Sequence, residues 1–164
     1  AGDTAVPSYD QNNVNGLTKV LTGWSFCQSS TAGVCPHLRS GTVNYIDPML
    51  LNTGNHDITA KTLLNYTGAN PTDRDIAPCP TTGPTSCVVT TGVNSTQAAT
   101  NIAVYANASM NHALDNIFNH PNLGPYVSKL LIQQMVTSDP TPAFVGRVAA
   151  SFNDNGFGVR GVMK

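Results

Sequence analysis

The sequence predicts a mainly α-helical protein with long irregular loops stapled by disulfides and at most short β-strands. Three observations lead there. Apolar residues recur at three- and four-residue spacing near both ends of the chain. Proline, glycine, asparagine and hydroxyl residues crowd the stretch between them. Four cysteines lie in two local pairs inside that stretch. One domain is the default for 164 residues. We read it as 1–164, with a loop-rich insertion at 27–96 between helical segments.

The first helix starts after Asp10, a good N-cap, and carries Val14, Leu17, Leu21 and Trp24 on one stripe, with Gly23 near its end. From 27 to 55 only 42–46 and 49–51 read as extended. Pro71, Pro78, Pro80 and Pro84 then rule out a regular element, because each removes a backbone donor. Residues 87–91 fit a short edge strand.

Helical periodicity returns after Asn94. Ala99, Ile102, Tyr105, Ala106 and Ser109 share a face that Ala113, Leu114, Ile117 and Phe118 continue, as one long helix or two joined near Asn107. His120 and Pro121 end it. Pro125 suits the first turn of a further helix with Val127, Leu130, Leu131 and Met135 on its apolar side. Thr141 caps a last helix whose stripe is Phe144, Val145, Val148, Ala149 and Phe152, and Asn155-Gly156 stops it. The predicted core is Leu17, Leu21, Trp24, Tyr105, Ile117, Phe118, Leu130, Leu131, Phe144, Val148 and Phe152.

Charge excludes some partners. Only 10% of residues are charged and the formal net charge is −1, against roughly 25% charged residues in an ordinary soluble domain. Nucleic-acid binding needs clustered Lys and Arg, and here they are scattered. No apolar run reaches the ~20 residues that span a bilayer.

Cys27 and Cys35 bracket one turn-rich loop and Cys79 and Cys87 another. Two local disulfides are the simplest of the three pairings that four cysteines allow. Structural zinc sites use ligand pairs two to four residues apart, which neither pair offers, so no metal is assigned. No cofactor motif is present. Disulfides, few lysines and a Thr/Asn-rich composition point to an oxidising compartment: secreted, periplasmic or cell surface.

The candidate chemistry lies in His56, Asp57 and Lys61, since an imidazole, a carboxylate and an amine within a turn are the groups that acid-base catalysis uses. The structural alternative is that Asp57 caps a short helix and Lys61 forms a surface pair. Trp24 is a candidate stacking residue for a sugar, or else core. Arg160, between glycines, is a candidate anion-binding residue, or else an internal ion pair. His112 with Asp115 lacks ligands from a second element. His120 reads as a helix-ending contact.

The residues also carry a resemblance. The block from Val14 through Thr22-Gly23-Trp24 to Phe26, the block His56-Asp57-Ile58-Thr59-Ala60-Lys61-Thr62-Leu63-Leu64, the block Leu114 to Asn122, then Lys129-Leu130, Val136 to Pro142 and Gly158-Val159-Arg160-Gly161 occur in the order seen in bacterial exported proteins of the domain of unknown function family 1800, which the chain resembles over nearly its whole length. Thr59 stands where that family usually has glycine. The resemblance implies an exported, mainly helical protein and brings no reaction with it. It also implies the C-terminal half of a larger member, with the remainder of the parent chain, or other exported proteins, as partners. Three functions follow as expectations. The first is a structural or binding module of the cell surface or extracellular space. The second is a hydrolase using His56, Asp57 and Lys61 with groups from a missing N-terminal half. The third is a metal- or haem-dependent oxidative enzyme.

Overall fold

The computed structural model describes residues 9–29, 31, 33–66 and 74–154. The chain divides into two compact units, one of residues 1–65 and 70–113 and one of residues 66–69 and 114–164. The second unit is mainly helical, the first joins two helices through long loops, and the strands among the described residues are two residues long.

The first unit opens with α1, Gln11–Leu21. Its start is a reciprocal cap: the Asp10 carboxylate accepts from the Asn13 amide and the Asn13 side chain accepts from the Asp10 amide, both at 2.9 Å. The chain then turns through Gly23, whose φ of 79° lies in the left-handed region, and a side chain there would also press on the Asn52 carbonyl oxygen at 2.7 Å. Trp24 therefore leaves the helix. It opens β1, Trp24–Ser25, which pairs antiparallel with β2, Leu50–Leu51. A single 3-10 turn, Thr53–Asn55, leads to the second ladder, β3, Lys61–Thr62, paired antiparallel with β4, Asp75–Ile76.

The face of α1 that packs on β3 is not the expected one. Gly16 and Val20 are buried, while Val14 and Leu21 are exposed. A Cβ on Gly16 would overlap the Thr62 carbonyl oxygen, so the absent side chain is what lets the backbones meet. Asn13 fixes the approach by donating to the Leu63 carbonyl at 2.6 Å. Val20, Leu63, Ile76 and Ala113 form the core of this unit, with Leu17, Tyr105 and Met110 packed against it.

Two extended segments expected from the sequence are absent. Residues 42–46 join no ladder, because the Asn44 side chain accepts from the Ile46 and Asp47 amides and so competes with one. Within 87–91 only Thr90 makes a bridge, to Val93. Both local disulfides are formed, Cys27–Cys35 and Cys79–Cys87.

One continuous helix, α2, runs from Ser95 to Phe118, so no break occurs at Asn107. It buries small residues, Ala98, Ala106, Ser109 and Ala113, while Leu114 and Phe118 are exposed. The second unit continues with α3, Leu123–Met135, and α4, Pro142–Asp154, which pack on each other. The buried residues of α3 are Gly124, Ser128 and Ile132, not Leu130 and Met135, which are exposed. On α4 the expected stripe holds: Ala149 and Phe152 are buried, with Phe144, Val145 and Val148 half-buried. Tyr66 donates to the Asn116 carbonyl and its ring meets His120 edge-on at 4.8 Å. The Nδ1 of His120 accepts from the Asn122 amide, closing the turn after α2 as expected.

Candidate functional site

The block from His56 to Lys61 lies in the first unit, between the end of α1 and the middle of α2. No helix starts there. The Asp57 carboxylate accepts from the Thr59 amide at 2.8 Å and from the Thr59 hydroxyl at 2.6 Å, and this local turn leads straight into β3. The expectation that Asp57 caps a short helix is thereby corrected, since its acceptor oxygen is used within an Asx turn.

Lys61 is the centre of the cluster. Its Nζ donates to the Asp57 carbonyl at 2.6 Å, the Thr59 carbonyl at 3.0 Å and the Tyr105 hydroxyl at 3.0 Å. An ammonium has three protons, and all three are used. The Asp57 carboxylate stands 3.9 Å away, and the side chain of Lys61 has 0% of its surface exposed. It is no surface pair. Burial pushes the ammonium pKa down to about 8; the Asp57 charge pulls the other way and Lys19 adds to the fall. At neutral pH the group remains mostly charged.

Tyr105 brings α2 into the cluster. Its single hydroxyl proton is shared between the Ala77 carbonyl at 2.9 Å and the Thr59 carbonyl at 3.1 Å, while its oxygen accepts from Lys61. Burial raises its pKa; the Ser109 hydroxyl opposes the rise and the Asp57 charge reinforces it. For Asp57 burial raises the pKa, but the two hydrogen bonds from Thr59 and the charges of Lys61 and Lys19 outweigh it, and the net shift is downward. Lys19, from α1, reaches the Thr59 hydroxyl at 2.9 Å.

His56 belongs to the same group without touching Asp57 through a hydrogen bond. Its Nδ1 lies 2.8 Å from the Thr22 carbonyl, which can only accept, so Nδ1 carries a proton. In the neutral ring Nε2 then presents a lone pair, and that atom is buried without a hydrogen-bond partner among the described residues. The ring stands edge-on to Tyr105 at 5.9 Å between centroids. Thr22 ties the arrangement to α1: its hydroxyl accepts from the Asp57 amide at 2.7 Å and donates to the Lys19 carbonyl.

The structure thus gathers His56, Asp57 and Lys61 in one place and adds Thr22, Thr59 and Tyr105. Sequence reasoning placed Tyr105 only in the core. The available signal was its position one turn before Ser109 on a helix face otherwise lined by alanine, where a phenol needs a buried partner. Trp24 sits elsewhere, half-buried in β1 with its indole N–H buried and without an acceptor among the described residues. Arg160 lies outside the described residues. Among the described residues no three His, Cys, Asp or Glu side chains converge as metal ligands do. No described helix is long and apolar enough to cross a membrane.

With this geometry in place, the comparison with known families is decisive on one point. The model of the family described as protein of unknown function (DUF1800) matches residues 2–164. The chain belongs to the DUF1800 family. No curated protein and no solved structure matches it. In this DUF1800 chain Thr59 offers a backbone carbonyl that serves Lys61 and Tyr105 at once. Its side chain is not idle either, since it links Asp57 to Lys19.

Proposed function

We propose that this chain is a structural or binding module of an exported protein, at work in the periplasm, on the cell surface or in the medium. The observation that carries this reading is the saturation of Lys61. A catalytic amine needs a free lone pair and a path for substrate, whereas this one has every proton committed and no exposed side-chain surface. The cluster then works as a clasp that ties the end of α1, the 57–62 segment and α2 together. Two disulfides support the oxidising compartment. The rest of the parent chain, or other exported proteins, are the partners this reading calls for.

One feature favours a hydrolase as second reading: the buried, unpartnered Nε2 of His56, held in a fixed tautomer by a backbone carbonyl as general bases are. The test is the natural protein against a panel of glycan, ester and peptide substrates, with His56→Ala alongside. No turnover, or turnover equal in the two proteins, is expected. Turnover lost in a His56→Ala protein whose circular dichroism is unchanged would overturn the module reading.

A further inference from the structure

The loop after the first disulfide is folded without being buried. Its neck is closed by Asp47, whose carboxylate accepts from the His37 amide at 2.9 Å, meets His37 Nδ1 at 2.6 Å and accepts from the Asn44 side chain at 2.7 Å. Asn44 is buried and holds the Ile46 and Asp47 amides. Tight turns at Cys35–Leu38 and Arg39–Thr42, each closed by a backbone hydrogen bond, shape the rest.

That frame holds apolar side chains outward. Tyr45 is 76% exposed and Ile46 74%, and Val43 and Phe26 are exposed as well. With Asn44 pinned inside and Asp47 pinned at the neck, the loop cannot turn these residues inward without breaking both sets of bonds. Phe26 and Tyr45 stack edge-on at 5.1 Å. Two residues on from Phe26 and two back from Tyr45, Gln28 and Val43 line an open cavity of about 600 Å³. Both segments that carry the aromatic pair thus reach the cavity, two residues from each ring.

The cavity has one formal charge. Its other lining residues, Leu38, Ser40, Gly41 and Thr42 with Gln28 and Val43, are neutral, and Arg39 makes no ion pair among the described residues. The acid nearest in sequence, Asp47, is committed to His37 and Asn44. Arg39 in the cavity wall and the exposed Tyr45 two residues beyond Val43 are of the residue types that most often dominate binding energy at protein interfaces. An uncompensated guanidinium selects a carboxylate, which it binds in a forked geometry.

We infer that this loop docks an extended segment of a partner polypeptide that carries a carboxylate side chain between apolar ones. The carboxylate pairs with Arg39, and the apolar neighbours lie over Val43, Tyr45 and Ile46. The inference rests on the binding-module reading above and names the partner's chemistry.

The test titrates the oxidised 164-residue chain with a labelled peptide alternating glutamate with leucine and phenylalanine, and with its glutamine counterpart, by fluorescence anisotropy. Binding of the glutamate peptide is expected, weakened about tenfold by Arg39→Gln and by Tyr45→Ser with Ile46→Ser. The glutamine peptide should bind the natural chain no better than the glutamate peptide binds the Arg39→Gln protein. Equal binding of the two peptides, indifference to Arg39→Gln, or no binding up to about 1 mM overturns the inference. Self-association that Tyr45→Ser abolishes would also overturn it, by making a second copy the occupant. The substrate panel with His56→Ala is read separately, so failure of the module reading and failure of the docking loop remain distinguishable.

Discussion

A lysine is stable inside a protein only if each proton on its ammonium finds an acceptor, and Lys61 meets that condition with two carbonyls and a phenol. Its replacement is a contest between two terms. Lys61→Met relieves the desolvation of a charge but strands the three acceptors that its own segment and α2 had aimed at it, and a stranded buried acceptor costs about 1–3 kcal/mol. We expect a net loss of about 1–3 kcal/mol in urea unfolding at pH 7, and an equally stable Met protein would remove the clasp. The pH dependence has a definite sign. Folding lowers the Lys61 pKa from 10.5 to about 8, so between those values the unfolded chain binds more protons. Stability should therefore rise with pH across that window, by at most about 1.4 kcal/mol per pH unit for one proton. Tyr105 acts in the opposite sense and at higher pH: its raised pKa contributes stability present below the unfolded value of 10 and lost as pH climbs toward the folded one. Urea midpoints from pH 7 to 10 should show the rise in the natural protein and not in Lys61→Met.

At the scale of elements, what was legible depended on whether large side chains or missing ones make the contact. The last helix, α4, buries Ala149 and Phe152 and half-buries Phe144, Val145 and Val148, as its periodicity says, because its stripe consists of residues that only the hydrophobic effect places. In α1 and α3 the buried residues are Gly16 and Val20, or Gly124, Ser128 and Ile132. A search for apolar spacing passes over glycine and serine, and so places Leu21 and Leu130 in a core they do not join. The block His56 to Lys61 was legible as a cluster of residue types. Its wiring was not, because Thr22, Ala77 and Tyr105 come to it from far along the chain and two of the acceptors of Lys61 are backbone atoms without any residue signature. Gly16 gives the sharpest test of this. Alanine is the better helix former by about 1 kcal/mol, yet its Cβ would overlap the Thr62 carbonyl oxygen, which is backbone and cannot rotate away. Gly16→Ala should thus lose about 2–4 kcal/mol as α1 is forced off β3. A midpoint in thermal unfolding that is unchanged or raised would show that α1 does not pack there.

For the whole molecule, the low charge content leaves stability mainly to burial, hydrogen bonds and the two disulfides. The disulfides make an internally controlled comparison. Each closes a loop of the same sequence separation, 8 residues, so the chain-entropy contribution to the unfolded state is the same for both, about 2.5 kcal/mol by the loop-closure relation. Any difference between removing one and removing the other must then come from what each loop touches when folded. The loop of Cys79–Cys87 is strapped down on two sides. Asn101 on α2 donates to the Pro84 and Ser86 carbonyls at 3.1 and 2.7 Å, the Cys79 amide donates to the Ile58 carbonyl at 2.8 Å, and two residues earlier Ala77 receives the Tyr105 hydroxyl. The loop of Cys27–Cys35 is bounded mainly by its own turns and leads into the exposed frame around Asp47. Replacing Cys79 and Cys87 by serine should therefore lower the unfolding midpoint more than replacing Cys27 and Cys35. It should also accelerate hydrogen exchange at the amides of Thr59 and Cys79, whose acceptors belong to the clasp segment. Replacing Cys27 and Cys35 should spare those amides, speed exchange at His37, Ile46 and Asp47, and weaken the glutamate peptide. Equal midpoints with the same exchange pattern in both proteins would mean that the two staples act on the unfolded chain alone, and that neither the clasp nor the docking loop depends on them.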